Sequence, residues 1–243
     1  MRHPSWSPSL YQEIFLDDTY RLKRWMASAC VRPTTVYDIG ANLGCFAAWA
    51  KQLWPDARVV SVEPHPTNFS TLREVAGRLG GVECVNAALG RGTIYWVPAV
   101  GGEQNPGGHG YVSDSVGYPE HQIRTDLAAA SCPAIGLAEL LERFPPRGPY
   151  VVKIDAEGGE EFLFDSPTDN AVLQGAHYWS AELHFFAARA RETPEHDRLA
   201  PGLLGTHGHV IRSCLDWCYG FSETHRVELE LLSNGGMLWC TKH

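Results

Sequence analysis

Three short apolar segments of the sequence end in acidic residues, and these residues are the first candidates for chemistry. Asp38 lies near the end of the first segment, Glu63 directly follows the second and Asp155 directly follows the third. A carboxylate can accept hydrogen bonds, neutralise a cation or take a proton. Because parallel strands end at one edge of a doubly wound sheet, where ligands bind, the three carboxylates are predicted to gather at one site.

The segment 36–44, Val-Tyr-Asp-Ile-Gly-Ala-Asn-Leu-Gly, predicts a strand that runs through Asp38 into a glycine turn and then a helix. Glycine at Gly40 lets a ligand approach the backbone closely. A dinucleotide fingerprint needs G-x-G-x-x-G, but here only the first glycine is present and Asn42 occupies the second position. Asp38 favours a cofactor with ammonium and sulfonium groups over a pyrophosphate. A nicotinamide-dependent oxidoreductase is therefore the weaker interpretation.

Glu63 begins the segment Glu-Pro-His-Pro, about 25 residues after Asp38, where doubly wound nucleotide-binding proteins hold ribose hydroxyls. Its carboxylate can accept both hydroxyls at once. A glutamate at a strand end is, by itself, more often a solvated loop residue, but the distance from the glycine turn favours the ribose interpretation. His65 either stacks on an adenine or only belongs to the turn.

Asp155 opens a run of acidic residues, Asp-Ala-Glu-Gly-Gly-Glu-Glu at 155–161, after a buried-looking strand. Acids at one strand end repel one another unless a cation, a base or solvent lies nearby. Asp155 is therefore a candidate for the reaction centre. Glu160 and Glu161 are expected only to begin a helix, where negative charge meets the positive end of the helix dipole.

Strand and helix patterns alternate around these motifs, which predicts βαβ units. The predicted fold is α/β and Rossmann-like, with a mostly parallel doubly wound sheet, a C-terminal antiparallel hairpin and an N-terminal helical extension. Predicted strands lie at 35–39, 58–62, 82–86, 93–97, 150–155, 177–183, 209–214, 226–232 and 237–241. Predicted helices lie at 43–54, 68–79, 136–143, after Gly159 and at 195–204.

Two segments stand apart from this alternation. Apolar residues at helical spacing from Leu10 to Ala29 predict one or two amphipathic helices in an extension of residues 1–33, before a single globular unit at 34–243. The extension either caps a binding cleft or packs on the sheet. Residues 101–132 lack clear periodicity and are interpreted as a substrate-facing loop, with a disordered surface excursion as the alternative.

Composition narrows the class of protein. A chain of 243 residues, 44% hydrophobic and with a net charge of -8, is typical of one globular domain and disfavours binding to nucleic acid. No segment approaches the roughly 18 consecutive apolar residues of a membrane span, and the start does not resemble a signal peptide, so we expect a cytoplasmic protein. The seven cysteines lack C-x-x-C spacing and are expected to be mostly buried. The oligomeric state stays open, a homodimer included.

Together the motifs resemble the FkbM family of S-adenosylmethionine-dependent methyltransferases, over about residues 34–185. The combination is far more specific than any single piece. The matching pieces are Asp-Ile-Gly-Ala-Asn-Leu-Gly at 38–44, Glu-Pro-His-Pro-Thr-Asn at 63–68, Asn-Ala-Ala-Leu-Gly at 86–90, Lys-Ile-Asp-Ala-Glu-Gly-Gly-Glu at 153–160 and a weaker Ala-Glu-Leu-His at 181–184. Residues 165–170 and the loop 101–132 depart from the family pattern and leave the choice of substrate open.

The resemblance implies a Rossmann-like methyltransferase fold with the glycine turn around the methionine part of S-adenosylmethionine and Glu63 on its ribose. It also implies O-methylation of a small-molecule or glycan acceptor, such as a sugar, a lipid-linked glycan or a polyketide-type natural product. A non-catalytic module that binds the cofactor is the alternative of a different class. The predicted cofactor-binding residues are Asp38, Gly40, Ala41, Asn42, Gly44, Glu63, Pro64, His65, Asn86 and Asp155.

An acceptor hydroxyl must lose its proton during methyl transfer, which requires a base or a metal ion. The candidate catalytic bases are His184, at the end of the predicted strand 177–183, and Asp155. A packed or loop histidine is the alternative for His184. Asp155 with Glu157 or Glu182 is instead a candidate site for a divalent cation that lowers the pKa of the alcohol.

Overall fold

The computed structural model describes residues 3–96, 111–113, 130–157, 159–184, 207–232 and 235–243. Strands and helices alternate over most of this length. The strands are β1 (Thr35–Ile39), β2 (Arg58–Val62), β3 (Val82–Val85), β4 (Ala88–Leu89), β5 (Thr93–Trp96), β6 (Tyr111–Ser113), β7 (Ala130–Ile135), β8 (Tyr150–Ile154), β9 (Tyr178–His184), β10 (His225–Leu232) and β11 (Gly235–Lys242).

The helices follow the predicted apolar periodicity, and several begin or end at residues suited to helix ends. Pro66 starts α4, where the missing N–H of proline costs nothing, and Gly80 with a φ of 69° ends it. The α-helices are α1 (Pro8–Tyr11), α2 (Leu22–Ser28), α3 (Cys45–Leu53), α4 (Pro66–Leu79), α5 (Leu137–Arg143), α6 (Glu161–Phe164), α7 (Pro167–Gly175) and α8 (His207–Gly220), and a π-helical turn (Gln12–Leu16) continues α1.

The main sheet has seven strands in the order β3-β2-β1-β8-β9-β11-β10. Strands β3, β2, β1, β8 and β9 are parallel, and β11 is antiparallel to both of its neighbours. The hairpin of β10 and β11 therefore returns β10 to the direction of the parallel strands. This arrangement confirms the predicted doubly wound sheet with a C-terminal antiparallel hairpin. A smaller sheet has the order β4-β7-β5-β6.

The two faces of the main sheet carry separate hydrophobic clusters, because successive side chains of a strand point to opposite faces. Val36 packs on the face covered by the N-terminal helices and α3, whereas Tyr37 packs on the face covered by α5 to α8. By the same alternation, Asp38 lies on the face of Val36. Lys153 is the register partner of Asp38 on β8 and lies on the same face. We call this side of the sheet the N-terminal face.

The N-terminal segment packs into the cluster on this face. The sequence predicted one or two helices interrupted near Asp17, and the chain does break there, between the π-helical turn and α2. The indole N–H of Trp6 donates to the carbonyl of Leu43 at 3.0 Å, and the indole of Trp239 in β11 donates to the carbonyl of Thr19 at 3.0 Å. The buried residues of the segment are Trp6, Ile14, Phe15, Tyr20, Leu22 and Trp25.

One predicted element is wrong. Residues 209–214 were expected to form a strand, but they belong to α8. The short run of Val210 and Ile211 is typical of a strand, but a short apolar run cannot distinguish a strand from a buried helix. The helix is visible only further on, where Cys214, Trp217 and Cys218 recur at helical spacing and are buried. The predicted helix at 195–204 and most of the loop 101–132 lie outside the described residues.

Within the described residues, no helix combines the length and the apolar character that a bilayer span requires. Of the cysteines, Cys45, Cys132, Cys214, Cys218 and Cys240 are buried, as expected, whereas Cys30 is exposed.

Candidate active site

The glycine turn after β1 touches the end of β8. Gly40 has a φ of 74°, in the left-handed region that favours glycine. A Cβ atom at this position would lie 1.6 Å from the carbonyl oxygen of Asp155. This distance is too short for any side chain to be placed at residue 40. Gly40 is therefore required both by its own backbone conformation and by the close approach of the segment that follows β8.

Hydrogen bonds inside the protein use the N–H groups of this turn. The N–H groups of Gly40 and Ala41 both donate to the carbonyl of Val62 at 2.9 Å, and the N–H of Asn42 donates to Oε2 of Glu63 at 2.8 Å. A pyrophosphate would need such N–H groups for itself. The turn therefore has the wrong hydrogen-bonding pattern for a dinucleotide.

Glu63 is held rigidly at the end of β2 with only 5% of its surface exposed. Its Oε1 accepts the N–H of His65 at 2.8 Å, in addition to the bond from Asn42. Burial raises the pKa of Glu63 to about 7, although the two N–H bonds oppose this shift. Asn86 supports the same turn, since its side-chain amide donates to the carbonyls of Glu63 and Pro64 at 2.9 Å.

A buried lysine joins two of the predicted carboxylates. Lys153 Nζ lies 3.4 Å from Oδ1 of Asp38 and 3.4 Å from Oδ2 of Asp155, and it donates to the carbonyl of Gly40 at 2.7 Å. Burial lowers the pKa of Lys153, but Asp155 and Asp38 outweigh burial and raise it. Lys153 is therefore an ammonium ion that holds the ends of β1 and β8 together.

His184, the last residue of β9, faces four carboxylates. Its Nδ1 lies 3.4 Å from Oε1 of Glu160, and its Nε2 lies 3.5 Å from Glu182, 3.7 Å from Glu157 and 4.0 Å from Asp155. We call these four carboxylates and His184 the acid cluster. Burial lowers the pKa of His184, but Glu160, Glu182 and Asp155 outweigh burial and raise it to about 12. These carboxylates therefore favour the imidazolium form of His184, which has no free lone pair to accept a proton.

Asp155 is the member of this cluster that also contacts the glycine turn after β1. Burial raises its pKa, but Lys153, His184 and a hydrogen bond from Tyr20 outweigh burial and lower it. Glu160 differs from its sequence-based prediction. It does not only begin α6, because it is 1% exposed and its Oε1 accepts the N–H of Ala156 at 2.6 Å.

Two residues of the N-terminal segment also reach this site, and the sequence did not predict either. The hydroxyl of Tyr20 donates to Oδ2 of Asp155 at 3.0 Å. Glu13, on the π-helical turn, has its pKa raised to about 7, first by burial and then by Glu182 and Asp155. No local pattern marks these residues, since their roles depend on how the segment crosses the N-terminal face.

The structure therefore brings the predicted residues to one edge of the sheet, in two adjoining groups. The first group, which we call the cofactor rim, follows β1, β2 and β3 and consists of Asp38, Gly40, Ala41, Asn42, Gly44, Glu63, Pro64, His65 and Asn86. The second is the acid cluster. His65 and Gly44 serve as N-caps of α4 and α3, respectively. Whether His65 also contacts an adenine stays a prediction.

Comparison with known families decides the class of this site. Residues 38–215 match the methyltransferase FkbM domain, which is well over half of the chain. The chain belongs to the FkbM methyltransferase family. This membership supports methyl transfer from S-adenosylmethionine. The matched range contains the whole cofactor rim and the acid cluster, but Glu13 and Tyr20 lie before it.

Solved structures show weaker likeness. A putative O-methyltransferase from Klebsiella pneumoniae is 10% identical, covers 100% of this chain and 84% of its own, and has a TM-score of 0.48. The S-adenosylhomocysteine-bound methyltransferase PaMTH1 from Podospora anserina is 13% identical, with coverages of 100% and 83% and a TM-score of 0.48. At such TM-scores these likenesses carry no weight for function. No curated protein matches the sequence.

The residues of the cofactor rim fit the groups that S-adenosylmethionine presents. Among the described residues, Oδ1 of the fully buried Asp38 has no hydrogen-bond partner and is paired with the Lys153 ammonium at 3.4 Å. An amino group of a ligand would complete this environment. Glu63 offers a prepositioned carboxylate for ribose hydroxyls, whereas the space that a side chain at Gly40 would fill is taken by the carbonyl of Asp155.

The predicted cation site has a related geometry. Asp155, Glu157 and His184 each offer a ligand atom, and these atoms lie within 4.8 Å of one another. His184 joins this group in place of the predicted Glu182, which lies against His184 Nε2 at 3.5 Å. Whether the site holds an ion stays a prediction.

Proposed function

We propose that this FkbM methyltransferase is an O-methyltransferase that acts on a hydroxyl of a small molecule or glycan, such as a sugar, a glycolipid or a polyketide-type natural product. The observation that carries the proposal is the position of Asp155. Its backbone carbonyl touches the cofactor turn at Gly40, while its carboxylate faces the acid cluster. A proton acceptor thus lies directly beside the place where a methyl donor would bind.

The proposed cofactor contacts follow from the geometry of the rim. Glu63 would accept hydrogen bonds from the ribose hydroxyls, Asp38 would face the ammonium of the methionine part, and the turn from Gly40 to Gly44 would pass along the cofactor. When bound, S-adenosylmethionine supplies an electrophilic methyl group on a sulfonium. Alignment of an acceptor oxygen with that methyl can lower the barrier by about 7 to 11 kcal/mol.

Asp155 is the proposed base, and His184 is a positioning residue. A hydroxyl oxygen that gains a methyl group becomes strongly acidic, so even a carboxylate with a lowered pKa can take its proton. His184, protonated and bonded to Glu160, instead holds the carboxylates of the cluster in place. Of the two bases left open by the sequence, the charge distribution thus favours Asp155.

The charges of the rim and the acid cluster also restrict which acceptors the site can bind. The site contains the four carboxylates of the acid cluster and Glu13, against the cations Lys153 and His184. Such a surface disfavours nucleic acid and other polyanions. It is compatible with neutral or positively charged hydroxylated compounds.

The first experiment titrates the protein calorimetrically with S-adenosylmethionine, S-adenosylhomocysteine and NAD. Heat from the two adenosyl ligands and none from NAD is expected. Heat from NAD alone would favour an oxidoreductase instead. Sugars, glycolipids and hydroxylated metabolites are then screened for release of S-adenosylhomocysteine, and the methylated atom is located by NMR. Cofactor binding without turnover on any of these acceptors would favour a non-catalytic module, and N-methylation would contradict the proposed O-methyl transfer.

A further inference from the structure

We infer that Tyr20, from the segment that precedes the family match, is a positioning residue of the active site that fixes the carboxylate of Asp155. This inference rests on the proposed function, in which Asp155 acts as the base. Tyr20 is 1% exposed, and its hydroxyl donates to Oδ2 of Asp155 at 3.0 Å. Since a single carboxylate can rotate about its last torsion, one further fixed donor limits the directions that its oxygens can take.

The ring of Tyr20 packs against helix α3 and lies beside the buried Lys153. It packs edge to face on Phe46 in the first turn of α3, with ring centroids 5.5 Å apart. Lys153 Nζ lies 5.3 Å from the centroid of the Tyr20 ring. Tyr20 therefore contacts Phe46 and Lys153 as well as Asp155, to which Lys153 is also paired, so its hydroxyl cannot move away without repacking of this region.

The backbone around Tyr20 is held in an unfavourable conformation. Asp18 and Arg21 have φ values of 53° and 52°, in the left-handed region that residues with side chains rarely adopt. Such residues persist only where surrounding contacts determine them, and they concentrate at functional sites. Two non-glycine residues of this kind within four positions set the direction from which the Tyr20 side chain enters the site.

The contacts that hold this backbone come from the far strands of the main sheet. The hydroxyl of Tyr178 in β9 donates to the carbonyl of Tyr20 at 2.7 Å, and Trp239 in β11 donates to the carbonyl of Thr19 at 3.0 Å. Arg21 forms an ion pair with Glu228 of β10 at 2.7 Å. Strands β9, β10 and β11 thus fix the segment that delivers the Tyr20 hydroxyl to Asp155.

The test compares Tyr20→Phe with Tyr150→Phe in the full chain. Tyr150 is the matched control, because its hydroxyl likewise donates a hydrogen bond, to the backbone carbonyl of Val172 at 2.6 Å, but it lies at the other end of β8. For Tyr20→Phe we expect kcat to fall by about 10 to 100-fold, as for a displaced catalytic group. The KM for S-adenosylmethionine and the affinity for S-adenosylhomocysteine should stay within about twofold of the wild type, as expected when ground-state binding is retained. Tyr150→Phe should retain the wild-type kcat.

A crystal structure of the Tyr20→Phe variant with S-adenosylhomocysteine tests the same inference without an acceptor. The Asp155 carboxylate should rotate away from its wild-type orientation. An unmoved carboxylate, an unchanged kcat, or a loss of affinity for S-adenosylhomocysteine as large as the loss of kcat would each overturn the inference. Absence of any binding of S-adenosylhomocysteine to the wild type would instead count against the proposed function, and the position of Asp155 in the two ligand-free proteins would still test the role of Tyr20.

Discussion

The cofactor rim and the acid cluster lie at the same edge of the sheet, but they are built in different ways. In the rim, the side chain of Glu63 binds main-chain N–H groups, and the turn at Gly40 bonds to the carbonyl of Val62. In the acid cluster, side chains bind side chains, as His184 does with Glu160. The rim depends on backbone geometry, whereas the cluster depends on the balance of charge between side chains.

This difference suggests how the two groups respond to change. A main-chain scaffold tolerates little alteration of backbone shape, so substitutions in the rim should affect folding and cofactor affinity together. A cluster of charged side chains can lose one member while the fold persists, so substitutions there should affect turnover first. The following variants are ordered from the largest expected effect to the smallest.

Gly40→Ala should have the largest effect, because its Cβ would lie 1.6 Å from the Asp155 carbonyl. We expect a loss of more than about 4 kcal/mol in the free energy of unfolding and no detectable binding of S-adenosylhomocysteine. Thermal unfolding and calorimetry measure both. Gly77→Ala is the control, since no atom lies within 4 Å of a Cβ there and helix α4 should gain about 0.5 to 1 kcal/mol. Normal folding of Gly40→Ala would show that the rim is less rigid than described.

Asp155→Asn should leave cofactor binding intact and remove the base. We expect kcat to fall by about 100 to 10,000-fold, the usual contribution of a catalytic base, with affinity for S-adenosylhomocysteine changed by a few fold at most. The exposed Asp165→Asn is the matched control and should retain full activity. Full turnover by Asp155→Asn would remove this residue from the mechanism, and loss of cofactor affinity would assign it to the rim.

Affinity for S-adenosylhomocysteine should rise with pH, because Glu63 loses its proton as the pH increases. Its pKa is raised to about 7, and only the ionised form accepts hydrogen bonds with both oxygens, so affinity should increase by about tenfold between pH 6 and pH 8.

The contribution of Glu63 to the free energy of unfolding of the protein without cofactor should change in the opposite direction. The folded state binds this proton more tightly than the unfolded state, so the stabilisation is full below about pH 4.5 and is lost as the pH rises through about 7.

Glu63→Gln provides the control for this pH dependence. Glutamine cannot ionise, and its amide would face either the N–H of Asn42 or that of His65, so affinity should fall by about 10 to 100-fold and lose its dependence on pH. Glu83→Gln removes a similar charge at the other end of the sheet, where Glu83 binds Arg58 at 2.6 Å, and should keep the wild-type profile. A pH profile that survives Glu63→Gln would assign the titration to another group.

The smallest expected effect is that of a chelator. Asp155, Glu157 and His184 have ligand atoms within 4.8 Å of one another, but Lys153 and His184 already place positive charge beside these carboxylates. Activity should therefore stay within about twofold of its initial value in excess EDTA. Loss of activity that added Mg²⁺ or Mn²⁺ restores would show that a divalent cation takes part in catalysis.

The sequence predicted most of the fold and the gathering of the rim residues at one edge of the sheet, because both follow from short patterns. That these residues bind the cofactor stays a prediction. Strand alternation, the glycine turn and the spacing from Asp38 to Glu63 can be recognised within short windows. The acid cluster was predicted only in part. His184 and Asp155 were named as candidate bases and Glu157 and Glu182 as candidate cation ligands, but Glu160 was expected only to begin a helix. The protonation of His184 depends on Glu160 and Glu182 together, and no short window contains all of these residues. Tyr20 was not predicted, because only the packed N-terminal face brings it to Asp155.

Strand β11 follows β10 in the sequence but lies between β9 and β10 in the sheet. During synthesis, β9 and β10 cannot adopt their final spacing until residues 235–242 leave the ribosome. Trp239, which holds the carbonyl of Thr19, belongs to this last strand. The segment that carries Tyr20 therefore gains its hydrogen bond from Trp239 only when the first and last described segments of the chain meet.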